Sequence, residues 1–272
     1  MELYEDEEVK KSYRHLFDDI SSVLTLYSSK ERLDSRKELS LIHNPEFLKF
    51  LSASPGFTAI IDFQSQGYLF MSDNVEEMWG YKAEEFLRLG MVKTITIFPV
   101  PQNEILIKKI LPTMFEYFHQ YAETGNAMDI RVSYNTKVIR ADGSIGWYLH
   151  QMKVLQLDEQ NRPQFGFKLV SDISDFKKDE AIDMVISKKD ENGVYKKIFS
   201  QTFAGDKKVF NISDREIEVL ALIGEGKSSK EIAEVLCISE HTVSNHRKNM
   251  LKKLEVKSTG EIIKKAIAYG II

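Results

Sequence analysis

The chain has 272 residues, 43% hydrophobic and 29% charged, with a net charge of −4. That balance can bury cores, which argues against a disordered chain, and the length suits two domains. No apolar run approaches the roughly 18 residues of a membrane span. The start, MELYEDEEVKK, lacks the apolar centre of a signal peptide, and the single cysteine, Cys237, excludes an internal disulfide. The expectation is a cytoplasmic protein with no membrane partner.

Charge is unevenly placed. From Lys207 to Ile272 there are 12 Lys/Arg against 9 Asp/Glu, so the tail is +3 and residues 1–206 are −7. A nucleic-acid contact, if the chain makes one, belongs to the tail.

In chain order, residues 1–53 read as an N-terminal helical region. Tyr13, Leu16, Phe17, Ile20, Val23, Leu24 and Tyr27 recur there at helical spacing. Residues 54–176 change period. Gly56–Phe63 and Tyr68–Ser72 alternate as two strands joined by Gln64-Ser65-Gln66-Gly67, a hairpin. Asp73-Asn74 caps a short helix ended by Gly80, a further helical turn follows at Tyr81–Leu87, and Glu104–Tyr121 is a longer amphipathic helix. Three strands are expected at about Ile130–Arg140, Ile145–Leu157 and Gln164–Asp172, separated by the turns Ala141-Asp142-Gly143-Ser144 and Asp158–Pro163. The order gives an α+β domain on a five-stranded antiparallel sheet.

That order, with Asn74, Trp79-Gly80-Tyr81-x-x-Glu84-Glu85-Phe86, Arg140-x-Asp142-Gly143-Ser144-x-x-Trp147 and Val170-x-Asp172-Ile173-Ser174, resembles a PAS domain with its C-terminal PAC portion. The resemblance implies a module that senses small molecules, light or redox state, or that mediates dimers. Phe63, Phe70, Phe115, Trp147 and Phe167 would line its ligand pocket; the same aromatics would equally fill a plain core. No cofactor can be read from the sequence, and none is required. A photoactive flavin site is excluded, because it needs a cysteine beside the flavin and Cys237 lies in the tail. A haem would need His119 or His150 as axial ligand.

Residues 177–206 read as a connector. Val185-Ile186-Ser187, Asn192-Gly193 and Val194–Phe199 suggest a short hairpin around the Asn-Gly turn.

Residues 207–272 resolve into four short helices. Ser213-x-x-Glu216, Ser228-x-x-Glu231 and Ser258-x-x-Glu261 are three capping boxes, each opening an apolar-periodic run; Gly270 would stop the last. The third helix starts at Ser239, an N-cap. Val243, Met250, Leu251 and Leu254 mark its inner stripe, with His246 breaking that stripe as a packed, hydrogen-bonded residue. Thr242, Ser244, Asn245, Arg247, Lys248, Asn249, Lys252 and Lys253 take the outer face. From Ser239 to Leu254 the net charge is +3. Only Cys237 and Ile238 separate it from the second helix, so the pair reads as a helix-turn-helix, with Cys237 a small buried residue. The second helix of such a pair can enter the DNA major groove.

Asp214-Arg215-Glu216-x-Glu218-Val219-Leu220, Gly226–Ala233, Ile238-Ser239-x-x-Thr242-Val243-x-x-His246-Arg247-Lys248-Asn249 and Lys253-Leu254-x-Val256 resemble the LuxR-type (NarL/FixJ) DNA-binding domain. The resemblance implies that Ser244, Asn245 and Lys248 face base edges, that Lys230, His241, Thr242, Arg247 and Lys252 lie near phosphates, and that the fourth helix helps to dimerise the domain. Ser244 stands where the family often has Lys, which implies a distinct target. Cys237 stands where many such turns have Gly, which implies a turn that does not need a positive φ.

The expected function is a bacterial DNA-binding transcription regulator, a homodimer on double-stranded DNA, whose PAS domain takes a signal or small-molecule ligand or mediates the dimer. The rival is a protein-interaction adaptor with a helix-turn-helix that no longer binds DNA. An enzyme is not expected: the chain has no Cys–His nucleophile pair, metal-spaced His/Cys cluster, phosphate-binding GxxxxGK[ST] loop or nucleophile elbow.

Overall fold

The computed structural model describes residues 43–203, 212–269 and 271–272. The helix expected within residues 5–30 and the stop expected at Gly270 lie outside them.

The front region is built on an antiparallel sheet: β1 Phe57–Asp62, β2 Gly67–Met71, β3 Ile130–Ile139, β4 Ile145–Leu157, β5 Pro163–Asp172, β6 Ile182–Lys189 and β7 Tyr195–Phe203. The spatial order is β2-β1-β5-β4-β3-β6-β7. The five expected strands are all present, but the sheet has seven. The Asn-Gly hairpin is not a separate connector; β6 pairs with β3 from Ile130↔Lys188 to Tyr134↔Met184, and β7 pairs with β6. Its inward residues explain why. Ile182, Met184 and Ile186 are fully buried in the same core as β3, so the hairpin extends the sheet rather than leaving it.

One helix, α1 Pro45–Ser52, packs on one face of the sheet, and α2 Asn74–Trp79, α3 Ala83–Leu89, α4 Met91–Thr96, α5 Val100–Ile105 and α6 Leu111–Ala122 cover the other. The expected long helix therefore starts earlier and is interrupted by a π segment, Leu106–Ile110, between α5 and α6. The widened turn immediately precedes Pro112, which has no N–H to donate and whose ring crowds the carbonyl four residues back.

Alternation sets the layers. Phe57, Ala59 and Ile61 of β1, Tyr148, Met152 and Val154 of β4 and Val170 of β5 face the helices in the main core. Ile60 and Phe165 face the other way into a small cluster with Leu51 of α1. Two glycines are dictated by packing. Gly80 ends α2 at φ 74, where a left-handed residue is required. Gly166 lies under the Phe63 ring, and a Cβ there would sit 2.5 Å from it.

The motif residues of this region hold turns together. Arg140 Nε donates to the Tyr148 hydroxyl at 2.7 Å, and its Nη2 donates to Asp172 Oδ2 at 3.1 Å. Tyr148 in turn donates to the Met78 carbonyl at 2.9 Å, and Asp172 accepts from the Ser174 N–H at 2.8 Å. These side chains tie the β3–β4 turn to α2 and to the end of β5.

The tail is helical: α7 Asp214–Gly224, α8 Ser229–Leu236, α9 Glu240–Lys253 and α10 Thr259–Ala268. It buries its own core, with Val219, Leu220, Ile232, Val243, Met250, Leu254, Ile262 and Ala266 among its members.

Candidate nucleic-acid interface and sensor core

Each helix of the tail starts where its serine puts it. Ser213 and Glu216 form a reciprocal box: the Ser213 N–H donates to Glu216 Oε2 at 2.8 Å, and the Glu216 N–H donates to Ser213 Oγ at 3.3 Å. Ser228 and Glu231 repeat it on α8. On α10, Ser258 Oγ accepts from the Glu261 N–H, while Glu261 accepts from the Lys257 N–H.

Glu216 does more than cap. It is 2% exposed, and Lys253 Nζ reaches it from the last turn of α9 at 2.6 Å. Burial alone would raise the Glu216 carboxyl; hydrogen bonds from Lys253 and Ser213 and the Lys253 charge outweigh it and hold the group below its ordinary value. Lys253 is thus an interhelical clamp, not part of the outer face expected for it.

The turn between α8 and α9 departs from expectation twice. Cys237 adopts φ 51, ψ 46, in the left-handed region, so the turn does need a positive φ and takes it from a non-glycine residue. The thiol is exposed rather than buried. The reason is geometric: the Ile238 N–H must fold back on the Ala233 carbonyl, at 3.0 Å, to close α8 and launch α9 within two residues.

On α9, Ser239 Oγ accepts from the Thr242 N–H at 3.0 Å. Val243, Met250 and Leu254 are buried as expected. His246 is half-buried and makes no side-chain hydrogen bond among the described residues. His241, Asn245, Lys248 and Lys252 are exposed at spacings of four, three and four residues, one continuous stripe, and Ser244 is half-buried beside them. Lys230 is exposed on α8. Two expected phosphate contacts are already engaged: the Thr242 hydroxyl lies 2.8 Å from Ser239 Oγ, and Arg247 Nη2 donates to the Lys227 carbonyl at 3.4 Å. The stripe offers donors and acceptors of the kinds that read base edges, flanked by cations.

Residues 211–266 match a family described as bacterial regulatory proteins, luxR family. The C-terminal segment is a LuxR-type helix-turn-helix domain. The uncharacterized response regulatory protein YgeK of Escherichia coli is 48% identical over 60 residues, 22% of this chain and 41% of that protein. Regulatory protein SdiA of the same organism is 47% identical over 62 residues, 23% of this chain and 26% of its own length. The chain spans less than half the length of these curated relatives, and the likeness is confined to the tail. A solved structure of a Vibrio cholerae VqmA dimer in the absence of target DNA aligns over 84% of this chain and 88% of that one, at 18% identity and a TM-score of 0.35. Among the described residues no helix is long and apolar enough to cross a membrane, and no three His, Cys, Asp or Glu side chains group as metal ligands.

The front domain separates the five aromatics expected around one pocket. Phe63 and Phe115 meet edge to face at 5.2 Å in the main core. Phe70 and Phe167 pack with the small cluster on the opposite face of the sheet. Trp147 belongs to the main core cluster, with the Lys137 and Lys177 ammonium groups 5.5 and 5.4 Å from its ring. Beside Phe63 and Phe115 lies a void of about 20 Å³, bordered also by Met91, Met114 and Met152.

The core holds polar groups that aromatic counting missed. His150 is fully buried; its ring stacks on Tyr134 at 4.9 Å and its Nε2 bonds the Thr136 hydroxyl at 2.8 Å. Burial, with the nearby Lys168 charge, holds it neutral, far below the ordinary histidine value. The other candidate haem ligand, His119, is half-buried on α6. Tyr68 bonds Thr94 at 2.7 Å, and burial pushes its hydroxyl up to about 12. Lys168 is 3% exposed, and burial pushes its ammonium down to about 8. Lys168 was legible only by parity: in Gln164–Val170 it falls in step with Gly166 and Val170, on the helix-covered face.

Proposed function

We propose that this chain is a transcription regulator that binds double-stranded DNA as a homodimer through α9, under the control of its front domain. The observation that carries the reading is the exposed stripe His241, Asn245, Lys248 and Lys252, presented by a helix that is pinned by a cap, a buried apolar seam and the Glu216–Lys253 pair. In this reading Asn245 and Lys248, with Ser244, would read bases, Lys230 and Lys252 would neutralise phosphates, and His241 would lie near a phosphate. The sheet, the strand order and the turn-holding Arg140 and Asp172 suit the PAS resemblance, and with it a sensing role. The cytoplasm is where such a regulator would meet DNA.

The test is selection of bound fragments from a genomic library by the full chain, followed by titration of the enriched site. Asn245→Ala or Lys248→Ala should weaken that site roughly 10- to 100-fold and relax one base position. Lys252→Ala should weaken all sequences alike and lower the salt dependence by about one counterion. No enriched site together with a flat salt response would replace this reading with the adaptor.

A further inference from the structure

Arg131 lies between Ile130 and Val132, and Lys153 between Met152 and Val154, all four in the main core. Both cations therefore leave the sheet on its opposite face. They pair directly across β3 and β4, and on the same sheet Lys189 pairs with Tyr195 across β6 and β7. The three cations converge on one ring. The Arg131 guanidinium lies 4.3 Å from the Tyr195 centroid, and the Lys153 and Lys189 ammonium groups lie 5.6 and 5.7 Å from it.

The cluster lacks an anion. Other half-buried cations of the front domain meet an acid: Lys93 with Glu85, Lys137 with Glu180, Arg140 with Asp172, Arg162 with Asp158 and Lys177 with Asp179. Lys188 does not, but it lies apart from the cluster, over the Tyr121 ring. Arg131, Lys153 and Lys189 are half-buried too, yet among the described residues they have no ion pair and no side-chain hydrogen bond. Arg131 Nε is buried without an acceptor. Asp190, next to Lys189 in the chain, is engaged elsewhere. Its Oδ1 accepts from the Asn192 and Val194 N–H groups, and its Oδ2 meets Lys196 at 3.9 Å. Three like charges gathered at one ring repel one another, and neutral residues would fill these positions without that cost.

The arrangement selects among anions. A guanidinium stacked on an aromatic ring keeps its plane, so its fork is fixed for a bidentate oxyanion. A carboxylate has two oxygens and one charge. A phosphate monoester brings three oxygens and nearly two charges at pH 7, enough for the fork and both ammonium groups. The duplex backbone carries single charges spaced along a line, whereas these cations gather at a point.

We propose that this face of the sheet binds a small phosphate monoester, its phosphoryl group held by Arg131, Lys153 and Lys189. The site is separate from α9 and does not depend on how α9 reads DNA.

The experiment titrates the full chain with phenyl phosphate and with dimethyl phosphate, a diester, at fixed ionic strength, following the ³¹P resonance of each probe. Phenyl phosphate should bind saturably, and roughly 10-fold more tightly than the diester. Arg131→Gln should weaken it roughly 10-fold or more, and the double variant Lys153→Gln, Lys189→Gln should do the same. Without probe the double variant should melt no lower than the parent, since it relieves repulsion; this keeps the test sound whatever Arg131 contributes to folding. Binding that both variants leave unchanged would mean an adventitious ion only and would overturn the proposal. Equal affinity for the diester would show that no concentrated charge is read, and would overturn it as well. If neither probe binds and the double variant instead loses affinity for DNA of unrelated sequence, the face belongs to the duplex and the small ligand is overturned. Recognition of an enriched operator by α9 is judged by Asn245→Ala and Lys248→Ala, whichever of these results is found.

Discussion

Two of the buried charged residues lie in contrasting surroundings. Glu216 in the helical tail and Lys168 in the sheet core are both shielded from water, at 2% and 3% exposure. Glu216 is surrounded by partners: its own cap, the Ser213 hydroxyl and the Lys253 ammonium. Lys168 has none among the described residues. One charge locks α7 to α9 and keeps the exposed stripe of α9 at a fixed angle; the other burdens the core that holds it. A buried charge stabilises a fold only when its lost hydration is replaced, so a similar degree of burial is an anchor in one domain and a cost in the other.

Lys168→Met should stabilise the front domain by about 3 kcal/mol at pH 7, measured by urea unfolding, since a depression from 10.5 to about 8 is worth that much. The pH dependence has a definite sign. Below pH 8 both states are protonated and the penalty is whole. Between about pH 8 and 10 the folded state gives up its proton while the unfolded chain keeps it, so stability rises with pH. Above about pH 10 the unfolded tyrosines ionise, whereas buried Tyr68 stays protonated up to about 12, and stability falls again. A stability profile flat from pH 7 to 10 would contradict the solitary lysine; the Lys168→Met variant should show that flat profile.

Breaking the strong side should cost somewhat less. Glu216→Gln removes the charge that meets Lys253 and should destabilise the tail by about 2 kcal/mol, with DNA affinity falling in parallel as α9 loosens. The Glu216 contribution should be present above its unfolded value and lost as pH falls through its lowered folded one. The smallest effect concerns the turn. Cys237→Gly should raise the tail's stability by about 1 kcal/mol, because glycine occupies the left-handed region without the Cβ strain that cysteine bears at φ 51. An unchanged or lowered midpoint would mean that the extra freedom of glycine in the unfolded chain cancels the gain.

Short-range features could be read directly from the residues. Helix starts at Ser213, Ser228, Ser239 and Ser258 were legible because a cap and its partner lie within three or four residues. The strands of residues 54–176 were legible from alternation and turn chemistry, and the stripe of α9 from helical spacing alone. The folded structure settled the features that depend on distant partners. It joined the Asn-Gly hairpin to β3, because the inward residues of β6 needed a core that local pattern cannot locate. It sent Phe70 and Phe167 to one face and Phe63 and Phe115 to the other, since two apolar faces on one strand look alike in sequence. It turned Lys253 inward to Glu216, 37 residues away, and enclosed Lys168 under helices. Charge on a strand or helix reads as solvated until packing removes the water, and packing is a property of the whole fold rather than of any stretch within it.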